Sequence, residues 1–137
     1  MPCTITWEPK GVYSKFAGAV GIDDLFQMMR SVAADPRFDD IRYQITDFLD
    51  VSNQALTPEE IEEAAALDFA HSLSNPRFLH AAVAQDARVL ALLRHWVSVS
   101  ATPERIACFT TVEEARRWIT ANYGRARSLN TGFGGLD

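Results

Sequence analysis

The sequence has little cysteine, little positive charge and no long apolar run, and each scarcity excludes something. Cys3 and Cys108 are the only cysteines. Two thiols build neither a disulfide framework nor a zinc site. Cys108 lies in the short apolar run Ile106-Ala107-Cys108-Phe109, where an inert buried thiol is the simplest reading. No apolar run reaches the ~18 residues that a membrane span needs. No basic stretch leads into an apolar one at the N-terminus, so no signal peptide is read and a cytoplasmic protein is expected. The 13 Lys and Arg are outnumbered by 18 Asp and Glu, for a net charge of −5 and a pI of about 5.1. That balance argues against non-specific binding to nucleic acid or anionic lipid, and no nucleic-acid partner is expected.

Catalytic signatures are missing as well. His71, His80 and His95 show neither HxxH nor HxxxH spacing, and there is no Ser-His-Asp order or nucleophile elbow. A lone histidine more often hydrogen-bonds a neighbour than catalyses. Gly132, Gly134 and Gly135 do not lie between a strand and a helix, so they form no phosphate loop. Trp7, Trp96 and Trp118 read as core or edge aromatics, because too few basic residues accompany them for a nucleic-acid platform. The expectation is a protein that is not an enzyme, with no catalytic residues, no metal ligands and no cofactor.

What is present is a repeated phrase. Asp35-Pro36-Arg37-Phe38 and Asn75-Pro76-Arg77-Phe78 stand forty positions apart, each after a helical apolar pattern and before a strand-like run. Proline disfavours the α region for the residue before it, so a helix ends there. Arg and Phe are expected to begin the extended segment. A third junction of the same kind is Thr102-Pro103-Glu104-Arg105-Ile106. Three such junctions in 137 residues, 47% of them hydrophobic, imply a single domain of repeating α/β units.

The pattern along the chain fills in the order. Thr4 to Glu8 alternates as a strand, Pro9-Lys10-Gly11 turns, and Val12 to Ala19 reads as a second strand. Ile22, Leu25, Phe26, Met29, Val32 and Ala33 recur at helical spacing. Ile41 to Phe48 is a strand, and Asp47 to Ala55 a polar loop. Thr57-Pro58-Glu59-Glu60 is a capping box with proline at the first helical position, opening a helix to about Leu73. Phe78 to Gln85 is a strand. Asp86 can cap a helix from Ala87 to Val99, with Val89, Leu92, Leu93, Trp96 and Val97 as its stripe. Arg105 to Phe109 is the last strand, and Thr111 to Glu114 opens a helix to about Tyr123. The predicted order is β-β-α-β-α-β-α-β-α with a mostly parallel sheet. Residues 1–123 form the domain, and 124–137, rich in glycine, a loose tail.

Strand three adds a clue about layers. Ile41, Tyr43 and Ile45 alternate with Arg42, Gln44 and Thr46, whereas a parallel strand covered on both faces normally reads as a continuous apolar run. Helices mainly on one face are therefore expected, with part of the other open. A two-fold homodimer through Arg42, Gln44 and Thr46, beside His80, Ala82 and Ala84, is one assembly this suggests.

The hairpin start, the alternating βα units and the phrases DPRFDDIRYQITDFLDV and SNPRFLHAAVA resemble the SpoIIAA-like group, over residues 4 to about 122. These are small bacterial domains similar to the STAS domains of anti-sigma-factor antagonists and anion-transporter tails. The resemblance implies an α/β, SpoIIAA-like fold and a regulatory or protein-interaction role with an unidentified protein partner. In the antagonists a kinase phosphorylates a Ser in an Asp-Ser-Ser-Gly loop at a strand end. Here the equivalent stretch is Asp47-Phe48-Leu49-Asp50-Val51-Ser52-Asn53-Gln54. It lacks Ser-Ser-Gly, and Ser52 is the nearest phosphorylation candidate. STAS-like folds are also similar in architecture to lipid-exchange domains, which makes a small-molecule or lipid-binding domain the alternative.

Five residues are candidate binding residues. Asp68 falls inside the apolar arc formed by Ile61, Ala64, Ala65, Leu67, Phe69 and Leu73. A carboxylate there needs a partner: it is either a ligand-binding acid or the mate of an Arg or of backbone amides. Asp47, Asp50, Ser52 and Asp86 are expected to gather at the C-terminal ends of two strands, where open α/β sheets bind ligands. Three acids there could hold a cation, but Asp86 has a simpler use as an N-cap and Asp50 as a turn cap.

Overall fold

Strands β1 (Cys3–Glu8) and β2 (Gly11–Val20) form the opening hairpin. The computed structural model describes residues 2–131. After the hairpin come α1 (Ile22–Ala34), β3 (Tyr43–Gln54), α2 (Pro58–Ser72), β4 (Leu79–Val83), α3 (Ala87–Val99), β5 (Ile106–Phe109) and α4 (Val112–Thr131). The five strands lie in the order β1-β2-β3-β4-β5, with β1 antiparallel to β2 and every later pair parallel. The element order is the predicted one.

The strand order explains where the helices sit. Every crossover from β2 onward moves one strand in the same direction, and crossovers share one hand. Helices α1, α2 and α3 therefore fall on the same face. Their buried stripes meet Val12 and Phe16 of β2, Phe48 of β3 and Ala82 of β4 in the main core. Helix α4 follows β5, returns to no further strand among the described residues, and packs on the opposite face. Ala115 and Ile119 there cover Ile45, Ala81 and Val83. The arrangement is a mixed sheet with three helices on one face and one on the other.

Alternation in β3 has a different meaning from the one expected. Ile45 and the half-buried Tyr43 lie under α4. Gln44 and Thr46 lie under α1–α3, where they are only 3% and 2% exposed. His80, Ala82 and Ala84 are buried as well. The polar row is therefore interior, and it cannot be the face of a dimer. Among the described strands, β1 and β5 are the sheet edges left for such an assembly.

Boundaries shift for identifiable reasons. The expected polar loop from Asp47 to Ala55 is strand as far as Gln54, because ten-residue β2 is long enough to pair with it through two register shifts. Gly18 takes a positive φ of 74° at one of them, a conformation open to glycine. Helix α4 continues to Thr131, so the tail expected from Gly124 begins within a helix, and residues 132–137 lie outside the described residues. In α2 the buried set is Ile61, Ala64 and Ala65, while Phe69 and Leu73 are exposed, so the apolar arc is narrower than its sequence.

The Pro junctions share one device. In each, the residue before proline accepts a backbone hydrogen bond from the residue three positions on: Phe38 to Asp35, Phe78 to Asn75 and Arg105 to Thr102. Pro36–Asp40 and Pro103–Arg105 are thus 3-10 turns rather than the start of a strand. Proline supplies the φ such a turn needs and gives up no required donor.

Candidate functional site

A polar chain runs through the apolar layer beneath α1–α3. Asp68 projects from α2, and its Oδ1 lies 3.2 Å from Nδ1 of His80 on β4. Nε2 of His80 lies 2.9 Å from Oγ1 of Thr46 on β3. The strands place the last two next to each other, since Gln44 pairs with His80 and Thr46 with Ala82 in the parallel register. The imidazole is held from the sides by Trp96, edge-on at 4.8 Å between ring centroids, and by Phe78 at 5.6 Å. A nearby amide, Gln44, donates to the thioether sulfur of Met28 at 3.2 Å. Asp68 thus has the partner its position demands. That partner is a histidine, rather than an arginine or backbone amides.

This chain borders a cavity of about 50 Å³. Its walls are otherwise apolar: Leu25 and Met28 of α1, Phe48 of β3, Leu92 and Trp96 of α3. Asp68, with its side chain 17% exposed against 8% for His80, is the more solvent-facing end of the chain.

The other candidates divide between two places. Asp47 is buried mid-strand on the α4 face, accepting from the Tyr13 hydroxyl and from the Leu49 amide at 2.8 Å. Burial and the Asp47 carboxylate together raise the Tyr13 pKa, so this hydroxyl stays protonated. Asp50 is exposed and pairs with Lys15 at 3.1 Å. Ser52 and Asp86 border a polar recess of about 80 Å³ with Asn53, Gln54 and Arg88. Asp86 caps α3, accepting from the amides of Arg88 at 2.9 Å and Val89 at 3.2 Å. Asp47 and Asp50 therefore do not join Ser52 and Asp86 in one cluster. Among the described residues, no group of three or more His, Cys, Asp or Glu is placed to hold a metal ion.

A second polar group clamps α4 to the sheet. Glu8 of β1 receives a two-pronged ion pair from Arg116 of α4, at 3.0 and 2.8 Å, and accepts from the Tyr43 hydroxyl. Arg116 holds the Glu8 carboxyl below its usual range. Burial and Glu8 push the Tyr43 hydroxyl up to about 12. His95 meets Glu62 at 2.9 Å, tying α3 to α2. Burial lowers the pKa of His71, the remaining histidine.

The architecture matches a solved protein. SpoIIAA, an anti-sigma factor antagonist in its unphosphorylated form, aligns with a TM-score of 0.57 at 10% identity, covering 87% of this chain and 96% of that one. The fold is SpoIIAA-like. An uncharacterised protein of the DUF3478 family from Shewanella loihica PV-4, described as having a SpoIIAA-like fold, aligns with a TM-score of 0.48 at 16% identity, covering 85% and 91% of the two chains. No family model matches the chain, and no curated protein matches its sequence. Among the described residues, no helix is long and apolar enough to cross a membrane. Strand order matters for sites in a SpoIIAA-like fold. Because the order never reverses, the sheet has no switch-point crevice of the doubly wound kind, and its cavity lies under the helix layer instead.

Sequence reasoning missed His80 and Thr46 as partners of Asp68. The available signal was two misfits: an acid inside a helical apolar arc, and a histidine in the buried strand Leu79-His80-Ala81-Ala82-Val83. Two polar residues on surfaces that both face the core need each other.

Proposed function

We propose that this chain is a non-enzymatic regulatory domain of the cytoplasm that acts by binding a protein partner, with its docking surface around Ser52. The observation that carries this reading is the recess shared by exposed Ser52 and Arg88. The charges lining the recess are one cation, Arg88, and one acid, Asp86. Asp47 and Asp50, the acids nearest in sequence, are engaged with Tyr13 and Lys15 outside that recess. A phosphate on Ser52, carrying about −1.5 to −2 charges, would enter a recess lined by Arg88 and by the Asp86 carboxylate that already caps α3, with Arg88 as the cation that offsets it. The shared fold with an anti-sigma factor antagonist supports the same reading. The test is capture of a partner from the source cytoplasm by the wild-type protein and by Ser52→Glu, with intact-mass analysis of the protein from its own host. A partner lost on Ser52→Glu and a phosphate on Ser52 are expected. A partner insensitive to every substitution in the recess refutes this surface.

A second reading has its own observation. The cavity beside Asp68, His80 and Thr46 favours a small-molecule-binding domain, with the ligand held under α1–α3. Native mass spectrometry after mild purification discriminates between the readings. A retained small molecule supports this one, and a bare polypeptide mass counts against it.

A further inference from the structure

Strand β1 is a sheet edge that its own sequence leaves unprotected. Native sheets blunt their edges with lysine, proline, a bulge or a very short strand. At the opposite edge, β5 is only four residues long. Strand β1 has six, Cys-Thr-Ile-Thr-Trp-Glu, and pairs with β2 without a register shift. Its one charged side chain, Glu8, is already held by Arg116. The groups it offers follow from the ladder. The Pro2 carbonyl accepts the Ala17 amide at 2.8 Å, and in an antiparallel pair the bonded residues alternate. Thr4, Thr6 and Glu8 therefore bond to β2. Cys3, Ile5 and Trp7 turn their amides and carbonyls outward, where no strand lies among the described residues.

We infer that β1 pairs with β1 of a second copy, antiparallel about a two-fold axis at Ile5, so that two sheets become one. The outward groups set this register. Ile5 faces its own copy and Cys3 faces the partner's Trp7, so every outward amide and carbonyl of the three is used. Three features fit a second copy of this chain. Thr4 falls opposite the partner's Thr6, both exposed, and threonines support each other across strands. Cys3, Ile5 and Trp7 already pack on the core beneath α1–α3, so their apolar row continues across the axis. A recess of about 30 Å³ lies beside that row, bounded by Cys3, Ile5, and Asp24 and Gln27 of α1; the partner's Trp7, opposite Cys3, is placed to cover it. Charge is complementary as well. Arg37 lies over the Trp7 ring at 4.3 Å with its side chain 60% exposed. The axis carries that guanidinium toward Asp24 of the other protomer, and does so on both sides.

The experiment is sedimentation velocity from low to high micromolar protein, with amide hydrogen exchange followed by NMR over the same range. A reversible dimer is expected, with exchange at Cys3, Ile5 and Trp7 slowing as concentration rises. Thr4→Lys combined with Thr6→Lys sets like charges opposite each other and should weaken the dimer by about tenfold or more. Thr4→Glu combined with Thr6→Lys sets opposite charges in the same places and should return the affinity to within about threefold of wild type. The exchange measurement uses the wild-type chain, so the test holds even if a variant folds poorly. A monomer at every concentration overturns the inference. So does a dimer that leaves those three amides unprotected, or one that the two double variants affect alike.

Discussion

Asn75 donates its side-chain amide to the carbonyl oxygen of Phe38 at 2.7 Å. The second Asx-Pro-Arg-Phe phrase therefore holds the first. The same amide reaches the carbonyl of Ile41 at 2.8 Å, and the rings of Phe38 and Phe78 meet at 5.4 Å. Asn75 is buried despite its polarity because both donor hydrogens are used. The repeat places two turns side by side at the N-terminal ends of neighbouring parallel strands. In the first copy Arg37 also lies over the Trp7 ring at 4.3 Å, while it pairs with Asp35 at 2.8 Å.

Breaking this junction should be costly. Phe78→Ala leaves a cavity among buried aromatics and is expected to lose about 3–5 kcal/mol. Asn75→Ala leaves two buried carbonyls short of a donor and should lose about 1–3 kcal/mol. Urea denaturation of each variant measures both. A midpoint that stays at the wild-type value for Phe78→Ala would contradict the core assignment.

The part-buried Asp68–His80 pair predicts a non-additive cycle. Asp68→Leu strands a buried imidazole nitrogen and is expected to cost about 1–3 kcal/mol. His80→Phe on the same background removes the stranded group and should recover much of the loss. Additive destabilisation in the double variant would mean that the two side chains do not act together.

The Glu8–Arg116 clasp predicts an acid sensitivity for α4. The folded Glu8 pKa lies below its usual 4.5. Its contribution is therefore complete above that value and is lost as pH falls through the lower, folded one. Arg116 is 44% exposed, so after screening the effect is about 0.5–1 kcal/mol. Trp118 of α4 packs 5.7 Å from Phe109 and reports docking by fluorescence. Glu8→Gln should flatten the acid-side slope of stability; an identical slope removes the clasp from the account.

Gly11→Ala should disturb the same corner. A Cβ at Gly11 would overlap the Tyr43 ring, which lies over the glycine in the adjacent strand. Tyr43 is tied to Glu8, so the ring must leave its partner to make room. A loss of about 1–3 kcal/mol is expected. Adding Tyr43→Ala to the same chain removes the ring, and thermal melting should then show little further loss from Gly11→Ala.

The cysteines should be slow nucleophiles. Burial, with Asp24 nearby, pushes the Cys3 thiol up to about 11, and burial raises Cys108 as well. Little thiolate exists at pH 8, so alkylation by iodoacetamide should run well below the rate of a free thiol. Reaction of either at the free rate in the folded protein would overturn that environment.

The element order was legible in the residues alone. Helical periodicity, the capping residues Thr57 and Asp86, and the three prolines are local signals, and local hydrogen bonding realised them. The box at Thr57 and Glu60 forms, with bonds of 3.0 and 3.2 Å. The face to which a strand's polar row points is not a local property. In β3 the alternation was legible, but Gln44 and Thr46 turned inward, where they meet Met28 of α1 across the layer and His80 of the neighbouring strand β4. Likewise, the length of β3 beyond Asp47 depended on ten-residue β2 lying alongside it. Asp68 announced from its helical position that it needed a partner. Only packing α2 over β4 brought His80 to it across twelve positions of sequence, because the partner of a polar group facing the core is chosen by the fold and not by the neighbouring residues.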